Sequence, residues 1–288
     1  MSAAPAKPPP STLRPIRGPS ALGGDASRFW TLAWTLAILE FRLKFFGSVL
    51  GYLWQLMRPL MLFGVLYVVF TEFVRIGGGV RFYPAVLLLG IVLYTFFSEV
   101  TGSAVTSVVN RENLVRKIHF PRLVIPLSVV LTSYLNLLLN LFAVAVFFVI
   151  AGVPVRLSWL EIVPLIIVLG LFCTGIAMGL SALFVRYRDV QPIWDVVLPV
   201  AFYGSPILYP IEALSNQAQW VQTLVMCNPL AVIVQQARHA LIDPTAPTAA
   251  GAIGGATYLL IPLAVLVGVC ALGFWIFNRS APRIAEEI

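Results

Sequence analysis

The charged residues suited to chemistry are few, and they gather beside apolar runs. The densest group is Asn110-Arg-Glu-Asn-Leu-Val-Arg-Lys-Ile-His-Phe-Pro-Arg122. Asn110 is a residue type that caps a helix, and Glu112 then falls in the positive first turn. Leu114, Val115 and Ile118 stand at i, i+1 and i+4, which gives a short helix one small apolar face. Pro121 stops it. Two uses fit such a helix. Its apolar face can enter a groove on a partner, or it can rest on a membrane with its basic residues toward headgroups. A second group is Glu40, Arg42 and Lys44, followed by Arg58. Arg42, Lys44 and Arg58 stand where an anionic lipid headgroup would arrive, and they serve equally well as topology anchors. A third is Arg186, Arg188 and Asp189, a tight charged loop expected to form a local ion pair. Glu99 stands alone in an apolar run, and an intramembrane carboxylate is a functional candidate by default.

Several chemistries are missing. The lysines are Lys7, Lys44 and Lys117, and none follows a glycine, so there is no G-x-x-x-x-G-K-[ST] phosphate loop. His119 and His239 are far apart and not in a zinc spacing. Cys173, Cys227 and Cys270 are scattered and read as packing residues. No catalytic set and no metal site is expected. The net charge of +7 comes from basic residues flanking apolar segments. It therefore reads as membrane orientation, not nucleic-acid binding.

The elements that hold these groups are read from hydropathy. The chain has 288 residues, 59% of them hydrophobic and 11% charged, with a mean hydropathy of +0.92. That composition fits an all-α integral membrane protein, because continuous apolar runs are helices and not barrel strands. Six spans are expected: Tyr52–Val74, Pro84–Val108, Leu123–Ala151, Trp159–Val185, Ile193–Tyr209 and Gly255–Phe277. Most Lys and Arg residues then fall on one side, leaving Arg75, Arg81, Arg156 and Arg238 on the other, which puts both termini in the cytoplasm. The segment 28–47 has aromatic ends and a charged cluster, and it is expected to lie in the interface as an amphipathic helix. Between the last two spans, 211–242 divides at Asn228-Pro229 into two pieces too short to cross. They are expected to re-enter from the outer side. Residues 1–27 read as a disordered Pro-rich cytoplasmic tail, 48–278 as the transmembrane domain and 279–288 as a cytoplasmic C-terminus. Gly175 and Gly179 have the spacing of a close helix contact, as do Gly47 and Gly51.

Four stretches, in order, resemble the permeases of polysaccharide-type ABC exporters. Asn113-Leu-Val-Arg-Lys-Ile-His-Phe-Pro-Arg-Leu-Val-Ile-Pro126 is similar to their loop between the second and third spans. Leu50-Gly-Tyr-Leu-Trp54 with Arg58-Pro59 resembles their entry to the first span. Val185-Arg-Tyr-Arg-Asp-Val190 resembles their Arg-Tyr-Arg-Asp loop, and Cys227-Asn-Pro-Leu230 with Arg238 their segment before the last span. Arg58 departs from the neutral polar residue usual there, and the Pro-rich tail is not a family feature.

The resemblance implies a homodimer in a bacterial inner membrane, joined to two copies of an ATP-binding subunit. It exports a lipid-linked polysaccharide such as O-antigen or teichoic acid. Asn113, Leu114, Val115, Arg116, Lys117, Ile118, His119 and Phe120 would form the coupling helix, with Glu40 and Arg42 as a second contact with the ATPase. ATP and magnesium would belong to the partner, with no cofactor on this chain. Arg186, Arg188 and Asp189 would lock a cytoplasmic loop. Asn228, Pro229 and Arg238 would form an outer gate. Glu99, Tyr94, Phe97, Tyr203 and Tyr209 are channel candidates, with aromatic faces suited to sugar rings. The rival readings are an exporter of a drug or small lipid and, in another class, a membrane-embedded glycosyl- or acyltransferase. The latter would need a cluster of His, Asp or Glu at the membrane face, and the sequence has none.

Overall fold

The computed structural model describes residues 26–46, 51–74, 80–117, 120–214 and 219–282. Among these residues the chain is helical, with connecting turns and no strand. The elements are α1 (Ala26–Phe45), α2 (Gly51–Val68, continued by a π turn to Phe73), α3 (Tyr83–Ser107), α4 (Glu112–Lys117), α5 (Val124–Ile150) and α6 (Ile162–Arg186). They continue with α7 (Val190–Tyr203), α8 (Gln219–Met226), α9 (Pro229–Leu241), α10 (Ala249–Ile253) and α11 (Leu260–Ser280). The Pro-rich tail as far as residue 25, Gly47 and residues 283–288 lie outside the described residues.

Among the described residues, five helices are long and apolar enough to cross a membrane: Leu53–Phe73, Tyr83–Ser107, Val124–Ile150, Leu157–Arg186 and Ala256–Ser280. The sixth expected span differs. Helix α7 has 14 residues and stops at Tyr203, well short of Tyr209. At 1.5 Å per residue it is about 21 Å long, against roughly 30 Å of hydrocarbon. Gly204-Ser205-Pro206 is the cause, since Pro206 has no N–H to continue the ladder. The Ser205 carbonyl instead accepts from Ile207 N–H at 2.7 Å.

Helix α3 is the centre of the fold. In its most apolar window 72% of the residues are buried, against 6% for α2 and 11% for α11. It packs against α2, α5, α6, α7 and α9. Helix α7 runs antiparallel along it, and three polar contacts fix the register. Trp194 Nε1 donates to Thr101 Oγ1 at 3.1 Å. Tyr94 hydroxyl donates to the Leu198 carbonyl at 2.8 Å. Tyr83 hydroxyl donates to the Leu208 carbonyl at 2.9 Å. Residues 194–208 therefore cover the same height as 83–101, although only the first part is helical. Gly90 makes room for this return. A Cβ there would sit 3.0 Å from Ile207 Cγ2.

Helices α6 and α11 meet backbone to backbone. A Cβ on Gly273 would lie 1.9 Å from the Gly175 carbonyl oxygen, and one on Gly175 would lie 2.8 Å from Cys270 Cα. A Cβ on Gly179 would lie 3.6 Å from Gly273 Cα. The Gly175/Gly179 spacing thus does what small residues do in apolar helix pairs, which is to let dispersion contacts form along the backbone.

Helix α1 packs on α5 through Phe29, Ala33 and Ala37, spaced four residues apart and all buried. Its other face carries exposed Trp30, Trp34, Leu39 and Leu43. The contacts progress along α5. Phe29 clusters with Leu123, Val124 and Ile125, whereas the Ala37 carbonyl accepts from Thr132 at 3.2 Å. Helix α1 therefore runs alongside α5 in the same direction and does not lie flat across its end, unlike the interfacial helix expected.

The end of the bundle carrying Arg111, Arg122, Arg186 and Arg279 is called the basic end below. The opposite end is capped by α8, α9 and α10. Asn228 accepts from Leu230 N–H at 3.0 Å and caps α9, with Pro229 at its first position. The far end of α9 is held at the start of the Leu157–Arg186 span. Ser158 Oγ donates to the Ala240 carbonyl at 2.6 Å and Trp159 Nε1 to the Leu241 carbonyl at 2.9 Å.

Candidate functional site

The 110–122 segment has no capped start. Asn110 donates its side-chain N–H to Thr106 Oγ1 at 3.1 Å, and the backbone passes from α3 through a 3-10 turn, Val109–Arg111, directly into α4. Asn110 therefore belongs to the end of α3 and does not cap α4, which corrects the sequence reading. Glu112 does occupy the first turn of α4. Asn113 is exposed and Leu114 half-buried. The backbone is described as far as Lys117, while Ile118 and His119 lie outside the described residues. Phe120 packs against the cluster formed by Phe29, Leu123 and Val185.

Arg111 fastens this corner. Its guanidinium pairs with Glu40 of α1. It also donates to the Ile125 carbonyl and to Ser128 Oγ, both at 3.2 Å. Burial pushes its pKa down to about 10, so it stays a cation at neutral pH. Thr132 Oγ1 reaches Glu40 at 3.5 Å.

Further into the bundle a second ion pair joins the same elements. Lys44 of α1 pairs with Glu99 of α3. Glu99 also accepts from Asn136 Nδ2 of α5 at 2.6 Å and from Gln55 Nε2 of α2 at 3.2 Å. One carboxylate thus ties four helices together. A carboxylate in hydrocarbon is costly unless paired and hydrogen-bonded, and here both conditions hold. Between the two ion pairs lies a cavity of about 220 Å³, lined by Glu40, Lys44, Glu99, Ser103 and Arg111 among others.

The other sequence candidates are dispersed. Arg42 and Arg58 are exposed, and neither has an ion-pair partner among the described residues, whereas the Lys44 ammonium is committed to Glu99. Arg186 and Arg188 are not in a local ion pair with Asp189, contrary to expectation. Their guanidiniums lie over the rings of Tyr187 and Phe184, at 5.5 and 5.0 Å from the centroids. Aromatic faces one and four residues away outcompete an exposed carboxylate that water already solvates.

Of the aromatic candidates, Tyr94 and Phe97 sit in the seam of α3 and α7. Tyr94 is 4.7 Å from Phe202 and Phe97 is 6.5 Å from Trp194 between ring centroids. Tyr203 is exposed, and Tyr209 hydroxyl donates to the Tyr203 carbonyl at 3.3 Å. At the opposite end Asn228 also donates to Ser205 Oγ at 3.1 Å. Arg238, only 5% exposed, forms a two-bond fork with Glu212 at 2.7 and 2.9 Å.

Sequence reasoning missed Gln55, Asn136 and Asp195. The first two are polar residues in apolar runs, which was a readable signal, but their shared partner was not. Asp195 follows Trp194, whose indole is fixed at the depth of Thr101, yet its side chain is exposed. An exposed carboxylate at that depth must face water or protein, because lipid cannot solvate it.

This chain belongs to the ABC-2 type transporter family, which residues 31–242 match. It is similar to the O-antigen export system permease protein RfbA of Klebsiella pneumoniae, 28% identical over 251 residues, covering 86% of this chain and 91% of that protein. The RfbA of Myxococcus xanthus is 25% identical over 258 residues, with 86% and 92% covered. The polysialic acid transport protein KpsM of Escherichia coli is 23% identical over 220 residues, with 72% and 80% covered.

Proposed function

We propose that the chain is the membrane-spanning permease of a bacterial inner-membrane exporter of lipid-linked polysaccharide, driven by a separate ATP-binding subunit. The observation that carries this is the family match, with O-antigen export permeases aligned along 86% of the chain. The basic end faces the cytoplasm, as do both termini, following the Lys and Arg bias. Helix α7 and the turns after it form the sixth crossing. Their register against α3 from Trp194 to Leu208 supports this. Helix α1 enters from the cytoplasmic side and runs along α5 to the depth of Glu99, a reading its contacts with Thr132 and Glu99 support, and α8 and α9 re-enter from the outside.

Two copies form the channel, each with its own ATPase holding ATP and magnesium. The exposed face of α7 meets the channel or the second copy, since Asp195 on it cannot face lipid. The 113–120 segment, whose first part is α4, makes the coupling contact with the ATPase. Arg111 links its root to Glu40, so a push on that segment reaches α1 directly, and through Lys44 it reaches Glu99. Arg42 and Arg58 are free to meet an anionic lipid headgroup.

The test is co-expression with candidate ATPases of the same genome, comparing wild type with Leu114→Asp/Ile118→Asp. Co-purification and ATP hydrolysis are expected for the wild type and lost in the variant. A folded wild-type chain that captures no ATPase would refute the exporter assignment.

A further inference from the structure

Helices α6 and α11 touch backbone to backbone at Gly175 and Gly273, and both continue to the basic end. There they leave a cavity of about 360 Å³, with Arg186, Tyr187, Trp275 and Arg279 in its wall. That volume lies within the range of small-molecule sites. Both apolar spans end at this level, one at Arg186 and the other at Ser280. The cavity therefore opens where hydrocarbon gives way to headgroups. The placement rests on α6 and α11 crossing a bilayer, and not on what the exporter carries.

The lining is cationic. Arg186 and Arg279 are both exposed, and no carboxylate among the described residues lines the cavity. Neither arginine has an ion-pair partner among the described residues. Each lies over a neighbouring ring, Arg186 over Tyr187 at 5.5 Å and Arg279 over Trp275 at 5.4 Å. Such stacking orders the guanidinium and leaves its N–H edge open for bidentate recognition of a phosphate. The carbonyl ends of α6 and α11 also point here, and each contributes roughly half a negative charge. Two guanidiniums outweigh them, so the site keeps a net positive charge of about one. Below it the face of α11 that bears Trp275 and Arg279 continues through exposed Leu272 and Val265, and α6 carries exposed Leu171.

We infer that this cavity binds the phosphodiester headgroup of an anionic phospholipid, whose acyl chains run down the apolar face of α11. Arg186 and Arg279 hold the phosphate, while Tyr187 and Trp275 orient them at headgroup depth. A free phosphate would use the same guanidiniums but gain nothing from the apolar face.

The experiment uses the full chain and scores wild-type insertion into vesicles first, by flotation. A chain that does not insert overturns the membrane placement and the site with it. For the inserted protein, binding of phosphatidylglycerol and phosphatidylcholine is titrated by native mass spectrometry from detergent, with inorganic phosphate as competitor. Phosphatidylglycerol is expected to bind more tightly, and Arg186→Gln/Arg279→Gln should weaken it about thirtyfold, a little over fivefold for each guanidinium. Each single variant should show its own fivefold share if the double variant folds poorly. Arg188→Gln, at the same end but outside the cavity, should leave binding unchanged. Equal lipid retention by wild type and double variant, or an equal loss in Arg188→Gln, sinks the proposal. Displacement of the lipid by phosphate at matched concentration would make this a phosphate site and overturn the lipid assignment.

Discussion

Lys44 and Glu99, 55 residues apart in sequence, form an ion pair that ties α1 to the buried helix α3. Asn136 and Gln55 bind the same carboxylate from α5 and α2. The pair is thus the point where four helices agree on their spacing. Its side chains are 42% and 16% exposed, so it is partly screened and worth less than a fully buried pair.

Glu99→Gln keeps one acceptor oxygen, turns the other into a donor that meets an amide N–H of Asn136 or Gln55, and leaves the Lys44 ammonium facing a neutral group. A loss of about 1–3 kcal/mol is expected. Adding Lys44→Met should return much of it, because the uncompensated charge is then gone. Thermal unfolding of the four proteins of this cycle in one detergent gives the coupling. An additive cycle would show that the pair contributes nothing.

Gly273→Ala should be severe for so small a change. Its Cβ would lie 1.9 Å from the Gly175 carbonyl oxygen, and backbone cannot rotate away as a side chain does. Overpacking of this kind costs about 1–3 kcal/mol or more. Gly268→Ala on the same helix, with nothing within 4 Å, should be neutral or slightly stabilising. Equal melting temperatures for the two variants would contradict the close contact.

Removing either member of the Arg238–Glu212 fork should not be symmetrical. The Arg238 side chain is 6% exposed and that of Glu212 is 42%. Glu212→Ala strands a buried cation and should cost about 3–5 kcal/mol. Arg238→Met leaves a carboxylate that water can reach, and should cost less. Chemical denaturation of both variants tests the order.

Asp195→Leu should leave unfolding within about 0.5 kcal/mol of wild type, as surface changes do, while glycan export falls. Surface polymer immunoblotting of a permease-deleted strain carrying the variant measures this. Full export with Leu at this position would mean that the open face of α7 takes no part in the channel or in pairing of copies.

Much of the helical order was legible because apolar runs and their punctuation are local. Asn228-Pro229 marked the start of α9, and Pro84 stands at the start of α3. The early end of α7 was legible too, in Gly204-Ser205-Pro206, but the apolar residues Ile207 and Leu208 beyond it carried the expected span onward. Those residues are buried against α3, so their hydrophobicity reports packing and not helix. The partners of Glu99 were not legible. No spacing rule joins Lys44, Gln55 and Asn136, and only the packing of α1 on α5 and α2 on α3 brings them together. The stacking of Arg186 and Arg188 on aromatic neighbours was open to sequence reasoning, since Tyr187 follows Arg186 and Phe184 lies four residues before Arg188.

The backbone contact of Gly175 with Gly273 leaves α6 and α11 no slack to slide or splay. Whatever rearrangement accompanies export must therefore be carried by helices with looser seams, such as α2 and α7. The α6–α11 pair then serves as the molecule's own ruler. Probes attached to these two helices should report one constant separation through the cycle, and every other displacement can be measured against it.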